Sequence, residues 1–161
     1  MEDKITVIKG KIEEVQLPVP SVDIIIADWM GHFLLYRSKL DSILWARDHY
    51  LAPGGKMLPD RAQLYIAAIE DHNYSNEIQA FWSNVHGVNM SCIAPTVMLE
   101  PLRAPFDSAN IISETCKIFD IDLLHCSKED INFATQYTLK IRYTDKIHGL
   151  VGWFDVLFSE L

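Results

Sequence analysis

Val22-Asp23-Ile24-Ile25-Ile26-Ala27 is almost unbroken apolar sequence, the pattern of a parallel β-strand covered on both faces. Ile5-Thr6-Val7-Ile8 is a shorter β-branched run that stops near Gly10 and predicts another strand. Between them, Leu17-Pro18-Val19-Pro20 is connector, because proline is excluded from a helix interior. Tyr36, Leu40, Ile43, Leu44 and Leu51 recur at helical spacing and predict an amphipathic helix over 36–51. Ala52-Pro53-Gly54-Gly55 stops it, and Lys56-Met57-Leu58 reads as the next strand. Up to this point the chain reads as an α/β layer.

After Pro59-Asp60 the pattern changes, and the domain boundary is drawn there. Arg61 to Glu70 alternates as a long strand, and Tyr137 to Tyr143 alternates cleanly between apolar and polar faces. Phe154, Val156 and Phe158 share one face of a final strand. No strong helix separates these late strands, so they predict an antiparallel sheet or barrel. The fold class is therefore α/β followed by all-β. Between the strands, Asp71 to Pro101 is less regular, with a short helix predicted over Glu77–Trp82. Phe81, Trp82 and Met90 are a heavy apolar load for a connecting segment, to be buried in its own domain or against a partner.

Composition changes this picture little. The 161 residues are 49% hydrophobic and 22% charged, as in a globular protein. A net charge of −8 argues against direct nucleic-acid binding, which needs clustered Lys and Arg. Cys92, Cys116 and Cys126 have no metal spacing, and their odd number fits reduced thiols in a cytosolic or nuclear setting. Apolar runs are too short to span a bilayer, and Met1-Glu2-Asp3-Lys4 does not begin a signal peptide. His32, His49, His72, His86, His125 and His148 show no HxxxH or HxH spacing, so no metal site is expected. No GxSxG elbow supports a serine nucleophile.

At Asp28-Trp29-Met30-Gly31-His32-Phe33-Leu34-Leu35-Tyr36 the chain resembles the substrate-arginine hairpin of the type I protein arginine methyltransferases. There the pattern runs Ser-Glu-Trp-Met-Gly-Tyr and ends in a second glutamate. The resemblance continues through Leu51-Ala52-Pro53-Gly54-Gly55, Leu58-Pro59-Asp60, Phe81-Trp82 and Met90-Ser91-Cys92 to the final strands. It implies two parts. Residues 1–60 would be the C-terminal half of a methyltransferase Rossmann fold, and 61–161 a partial β-barrel with a dimerisation arm at about 71–101. It also implies S-adenosylmethionine as cofactor, protein arginines as substrate in histones or Arg-Gly-rich segments, and a homo- or hetero-dimer. Lys11, Ile12 and Glu13 would meet the adenine, and Ser42 would stand near the cofactor. The family's Gly-rich cofactor loop and its Thr-His-Trp loop have no counterpart in this chain. The chain thus reads as an internal section or a divergent member, incomplete and inactive by itself.

Two carboxylates in such a loop would hold a guanidinium by forked hydrogen bonds and localise its charge on the far nitrogens. In-line methyl transfer then rests on positioning, with a nearby carboxylate accepting the released proton. Asp28 stands at the first glutamate position, shorter by about 1.5 Å of reach. A misplacement of ~1 Å can cost roughly 10²-fold in rate. Arg37 stands at the second, where like charges ~4 Å apart repel by ~1–4 kcal/mol at effective dielectrics of about 80 to 20. Lys39 adds a cation where the family carries a methionine, and His32 replaces the loop tyrosine.

Plainer readings stay open beside these. Arg37 and Lys39 open a helix and fit solvated side chains, with Arg37 paired to Asp28 or Asp41. Asp28 after a strand fits a turn residue, and Glu13 fits a charged loop edge. The alternatives to an active methyltransferase are a catalytically impaired paralogue that partners an active subunit, and a β-rich interaction domain without cofactor. The apolar edge at Val22–Ala27 predicts poor solubility or dependence on a partner.

Overall fold

The structure, a computed structural model, describes residues 4–159, which fall into two compact units. The first comprises the chain through Tyr65, Lys117–Gln136 and the stretch from Trp153 onward; the second comprises Ile66–Cys116 and Tyr137–Gly152.

In the first unit, β1 (Val22–Ile26) runs parallel to β2 (Leu51–Leu58), with α1 (Leu40–Tyr50) between them in sequence. The strand predicted at Val22 and its parallel pairing are both present. Its burial is not, because Ile24 and Ile26 are 51% and 76% exposed. Among the described residues β1 pairs only with β2, so one edge and part of its apolar surface face solvent. Ile5 to Ile8 is not a strand: it is irregular and largely exposed. A β-branched run forms a strand only where a neighbour pairs and packs with it.

Pro53-Gly54-Gly55 lies inside β2 rather than before it. Register explains this, since Val22 faces Leu51 while Ile24 faces Lys56, so the extra residues of β2 are absorbed as an irregularity. Helix α1 starts at Leu40, not Tyr36, because residues 31–36 are taken by bridges of a tight hairpin.

Three further strands are β3 (Arg61–Ile69), β4 (Cys116–Asp122) and β5 (Gly149–Leu157), ordered β4-β3-β5. Each contributes residues to both units. Strand β4 is not anticipated by the sequence pattern. The first unit's hydrophobic core joins Trp29, Leu34, Leu40, Leu44, Met57, Leu64, Ile121 and Leu123. Leu40 and Leu44 are one helical turn apart on α1, and Ala62 and Leu64 share one face of β3. Burying a side chain of this size contributes about 1.5–3 kcal/mol. Phe154 and Val156 of β5 pack on this core as their alternation predicts, whereas Phe158 lies past the strand end and is exposed. Asp60 is buried; its N–H donates to Leu157 O, its carbonyl accepts from Leu123 N, and its carboxylate accepts from the Ser159 backbone and hydroxyl.

In the second unit, α2 (His72–Ser83) is longer than the predicted Glu77–Trp82 and is capped by Asp71, whose carboxylate accepts the Tyr74 N–H at 3.0 Å. Helix α3 (Ala94–Val97) is a single turn. Buried Ser113 accepts the Ala68 N–H at 2.9 Å and donates to Glu114 O. Tyr137 to Tyr143 is not a strand. It makes one bridge, Ile141 to Ser113, with hydrogen bonds at Lys140 and Arg142, and its apolar residues Tyr137, Ile141 and Tyr143 are exposed. The described strands form open sheets, not a closed barrel.

Candidate functional site

The loop after β1 is a closed hairpin. Gly31 N–H donates to Leu34 O at 2.8 Å, and His32 and Tyr36 exchange backbone bonds of 2.9 and 3.0 Å. Lys39 N–H reaches Trp29 O at 2.8 Å and ties off the base. Trp29 and Leu34 are 1% and 0% exposed, so the hairpin is anchored from beneath by two large side chains. A Cβ on Gly31 would lie 2.1 Å from Tyr36 O and 2.7 Å from Ser38 N, so only glycine fits. Phe33, Leu34 and Arg37 have φ of 47°, 68° and 56°. That left-handed backbone costs roughly 1–3 kcal/mol per residue, and buried Leu34 and the backbone bonds hold it in place. The Trp29 indole N–H is buried with no hydrogen-bond partner among the described residues. The loop sits at the carboxyl end of a parallel strand, where open α/β sheets place their ligands.

The hairpin's chemistry-bearing side chains face outward. Asp28, His32, Arg37 and Lys39 are exposed, while Met30 packs against the core. The Arg37 guanidinium lies over the Tyr36 ring, 5.3 Å from its centroid, and the His32 ring is 6.2 Å from the same ring. Among the described residues Asp41 pairs instead with Lys128 at 3.0 Å, so the sequence-based pairing of Arg37 with Asp41 is replaced by stacking on Tyr36.

A second group forms where the turn after Gly10 meets α1. The Ser42 hydroxyl donates to the Glu13 carboxylate across 29 positions of sequence. That hydrogen bond is the main reason the Glu13 carboxyl sits below its ordinary range. Tyr50 Oη donates to Val15 O at 3.0 Å and secures the same turn to the other end of α1. Glu13 and Ser42 are thus brought together. Lys11 is turned to Glu14 at 3.1 Å, and Ile12 is half-buried between them in sequence.

In the 71–101 segment, Phe81 is exposed, and Trp82 and Met90 are half-buried and joined by a backbone bond of 2.8 Å. Phe81 meets Trp82 edge-on at 5.2 Å. Val88 and Leu99 are also exposed apolar residues here, as is Leu102 just beyond the segment, and the sequence pattern does not single out the two leucines. Two of the histidines, which their spacing does not bring together, meet a carboxylate: Glu70, His72 and His148 place their ligand atoms within 4.8 Å of one another. Sequence spacing detects only local pairs, and His148 arrives from a distant part of the chain, just before β5. No helix among the described residues is long and apolar enough to cross a membrane.

Residues 60–161 match the family model of the arginine methyltransferase oligomerization subdomain. Protein arginine N-methyltransferase 1 of Schizosaccharomyces pombe is 46% identical over 159 residues, covering 99% of this chain and 47% of the relative. The Dictyostelium discoideum protein of the same name is 47% identical, covering 97% and 46%. The chain spans about half the length of the curated relatives it matches. Among solved structures, the Trypanosoma brucei PRMT1 enzyme–prozyme heterotetrameric complex with AdoHcy superposes with a TM-score of 0.88 at 36% identity, covering 98% of this chain and 50% of that one. Protein arginine methyltransferase 10 of Arabidopsis thaliana gives a TM-score of 0.73 at 28% identity, covering 94% and 50%.

Proposed function

We propose, from the premise that this chain belongs to the protein arginine methyltransferase family, that its protein transfers methyl groups from S-adenosylmethionine to arginine guanidinium nitrogens of protein substrates. The observation that carries this reading is the closed, glycine-dependent hairpin at the end of β1. On this reading the chain divides near Asp60 into a Rossmann half and a partial barrel whose arm, at about 71–101, pairs two subunits; the family match over residues 60–161 supports it.

Bound S-adenosylmethionine supplies an activated methyl sulfonium. This chain's part is to position. Glu13 offers an exposed carboxylate acceptor oriented by Ser42, and Ile12 an apolar flank, a set that fits the edge and face of an adenine. Asp28 is the loop carboxylate that receives the substrate guanidinium, and Trp29, Met30 and Gly31 fix where it stands.

A second reading is favoured by Arg37. A permanent cation at the second carboxylate position, beside Lys39, opposes a cationic substrate. On this reading the protein is an impaired subunit that pairs with an active methyltransferase, as a prozyme pairs with an enzyme in the trypanosomal complex.

Methylation of an Arg-Gly-rich peptide by the full-length protein alone separates them. Turnover that Asp28→Ala abolishes is the first reading. Turnover that appears only after Asp28→Glu with Arg37→Glu, or only on mixing with an active methyltransferase, is the second. No methylation in any of these arms, with no co-purifying methyltransferase, removes both.

A further inference from the structure

The second unit gathers two imidazoles and a carboxylate that no part of the methyl-transfer reading uses. Glu70 follows β3, His72 opens α2 and His148 immediately precedes β5. Glu70 Oε1 lies 3.6 Å from His148 Nδ1 and accepts the His72 backbone N–H at 2.9 Å. The Asp71 backbone N–H points at His148 Nδ1 from 3.2 Å. The two histidine rings are 6.0 Å apart between centroids. Glu70 and His148 are half-buried, and His72 faces solvent.

We propose that Glu70, His72 and His148 bind a divalent transition metal of the zinc type, with a fourth position left to water. Two imidazole nitrogens and one carboxylate oxygen are a donor set such ions take, whereas calcium and magnesium call for oxygen alone. Zinc sits about 2.0–2.2 Å from such donors, so the present spread of up to 4.8 Å must contract on binding. Solvent-facing His72 is the side chain able to move, and the His72 N–H already holds Glu70, while the N–H that Asp71 donates to His148 Nδ1 must be given up as the ion takes an imidazole lone pair. The bound ion would tie the root of α2 to the start of β5, bracing the helical segment from its base.

The test is zinc titration of the intact protein against a chromophoric chelator, in a Cys92→Ser background because Cys92 is an exposed thiol. One zinc per chain is expected, with His72→Ala and His148→Ala each weakening affinity at least about tenfold, since even losing a ligand's supporting partner costs that much. Zinc should raise Tm in the parent and not in His72→Ala, whose circular dichroism should be unchanged because that side chain faces solvent. Should His148→Ala fail to fold, Glu70→Gln takes its place. Cobalt(II) should give a tetrahedral visible spectrum without thiolate charge-transfer bands. Equal zinc affinity in the parent and His72→Ala, a thiolate spectrum, or no zinc binding would each overturn the proposal.

Discussion

The two units bury different things. The first packs Trp29, Leu34, Leu40, Leu44, Met57, Leu64, Ile121 and Leu123 into one cluster. Buried apolar residues of the second are mostly small, Ala67, Ala68 and Ala94 beside Ile66 and Ile112, while Phe81, Val88, Leu99 and Leu102 stay exposed. Large apolar residues kept in water lose the stabilisation that burial would give. Both units leave apolar residues in water, Ile5, Val7, Ile24 and Ile26 in the first among them, but of the described residues only those of the first gather large side chains into a buried cluster. The match to an oligomerization subdomain covers residues 60–161, the second unit included.

The sharpest break of this comparison is Gly31→Ala. Its added Cβ would meet backbone atoms of Tyr36, Arg37 and Ser38 at 2.1–2.9 Å, and backbone cannot swing aside as a side-chain tip can. The hairpin would open and Trp29 and Leu34 would lose their seats. A loss of roughly 3 kcal/mol or more is expected, read by urea unfolding with tryptophan fluorescence. A loss below about 1 kcal/mol would mean that the loop is not part of the first unit's core.

Acid titration tests the pairing of Asp120 with Arg61 and Gln63 in the first unit by a smaller effect. Burial raises the Asp120 carboxyl, but hydrogen bonds from Lys117, Arg61 and Gln63 together outweigh it and leave the carboxyl below its ordinary value. Those bonds measure 2.6, 2.7 and 2.9 Å. For a depressed carboxyl, the stability it contributes is fully present above the unfolded-chain value near 3.9 and is lost as pH falls through the lower folded value. Asp120→Asn should therefore flatten the acid limb of the unfolding free energy and leave its slope near neutrality unchanged. An acid limb identical in both proteins would count against the cluster. In the second unit, Lys140 and Glu114 at 3.3 Å are both well exposed, and a pair of that kind contributes about 0–1 kcal/mol.

What is legible in the sequence follows the same division. Val22–Ile26 and Arg61–Ile69 are readable because their patterns are strong and each finds a neighbouring strand. Ile5–Ile8 and Tyr137–Tyr143 carry equally good patterns but lack full partners among the described residues, and propensity alone does not make a strand. Strand β4 is hidden because Asp120 and Asp122 interrupt its apolar run, and only the structure shows Asp120 occupied by Arg61 and Gln63. The hairpin residues are legible through Trp29-Met30-Gly31. The left-handed backbone at Phe33, Leu34 and Arg37 is not, since none of these is a glycine. Glu13 with Ser42 and Glu70 with His148 are meetings of distant positions, which no local pattern encodes.

The smallest expected change in folding is the most telling for the second unit. Leu99 is 86% exposed, so Leu99→Ser removes almost no packing within the chain. Unfolding free energy should move by no more than about 0.5 kcal/mol, the ordinary range for surface substitutions. Self-association should move much further if this surface meets a second subunit. Losing a buried leucine there costs about 1.5–3 kcal/mol, roughly a tenfold to hundredfold weaker dimer at about 1.4 kcal/mol per decade. Sedimentation velocity across a dilution series reads the second quantity, and urea unfolding of dilute monomer reads the first. Unchanged association would remove Leu99 from the interface and leave the surface around Phe81 to carry it. A fall of several kcal/mol in the monomer would instead show Leu99 packed within its own chain, and the contrast between the two units would fail at that residue.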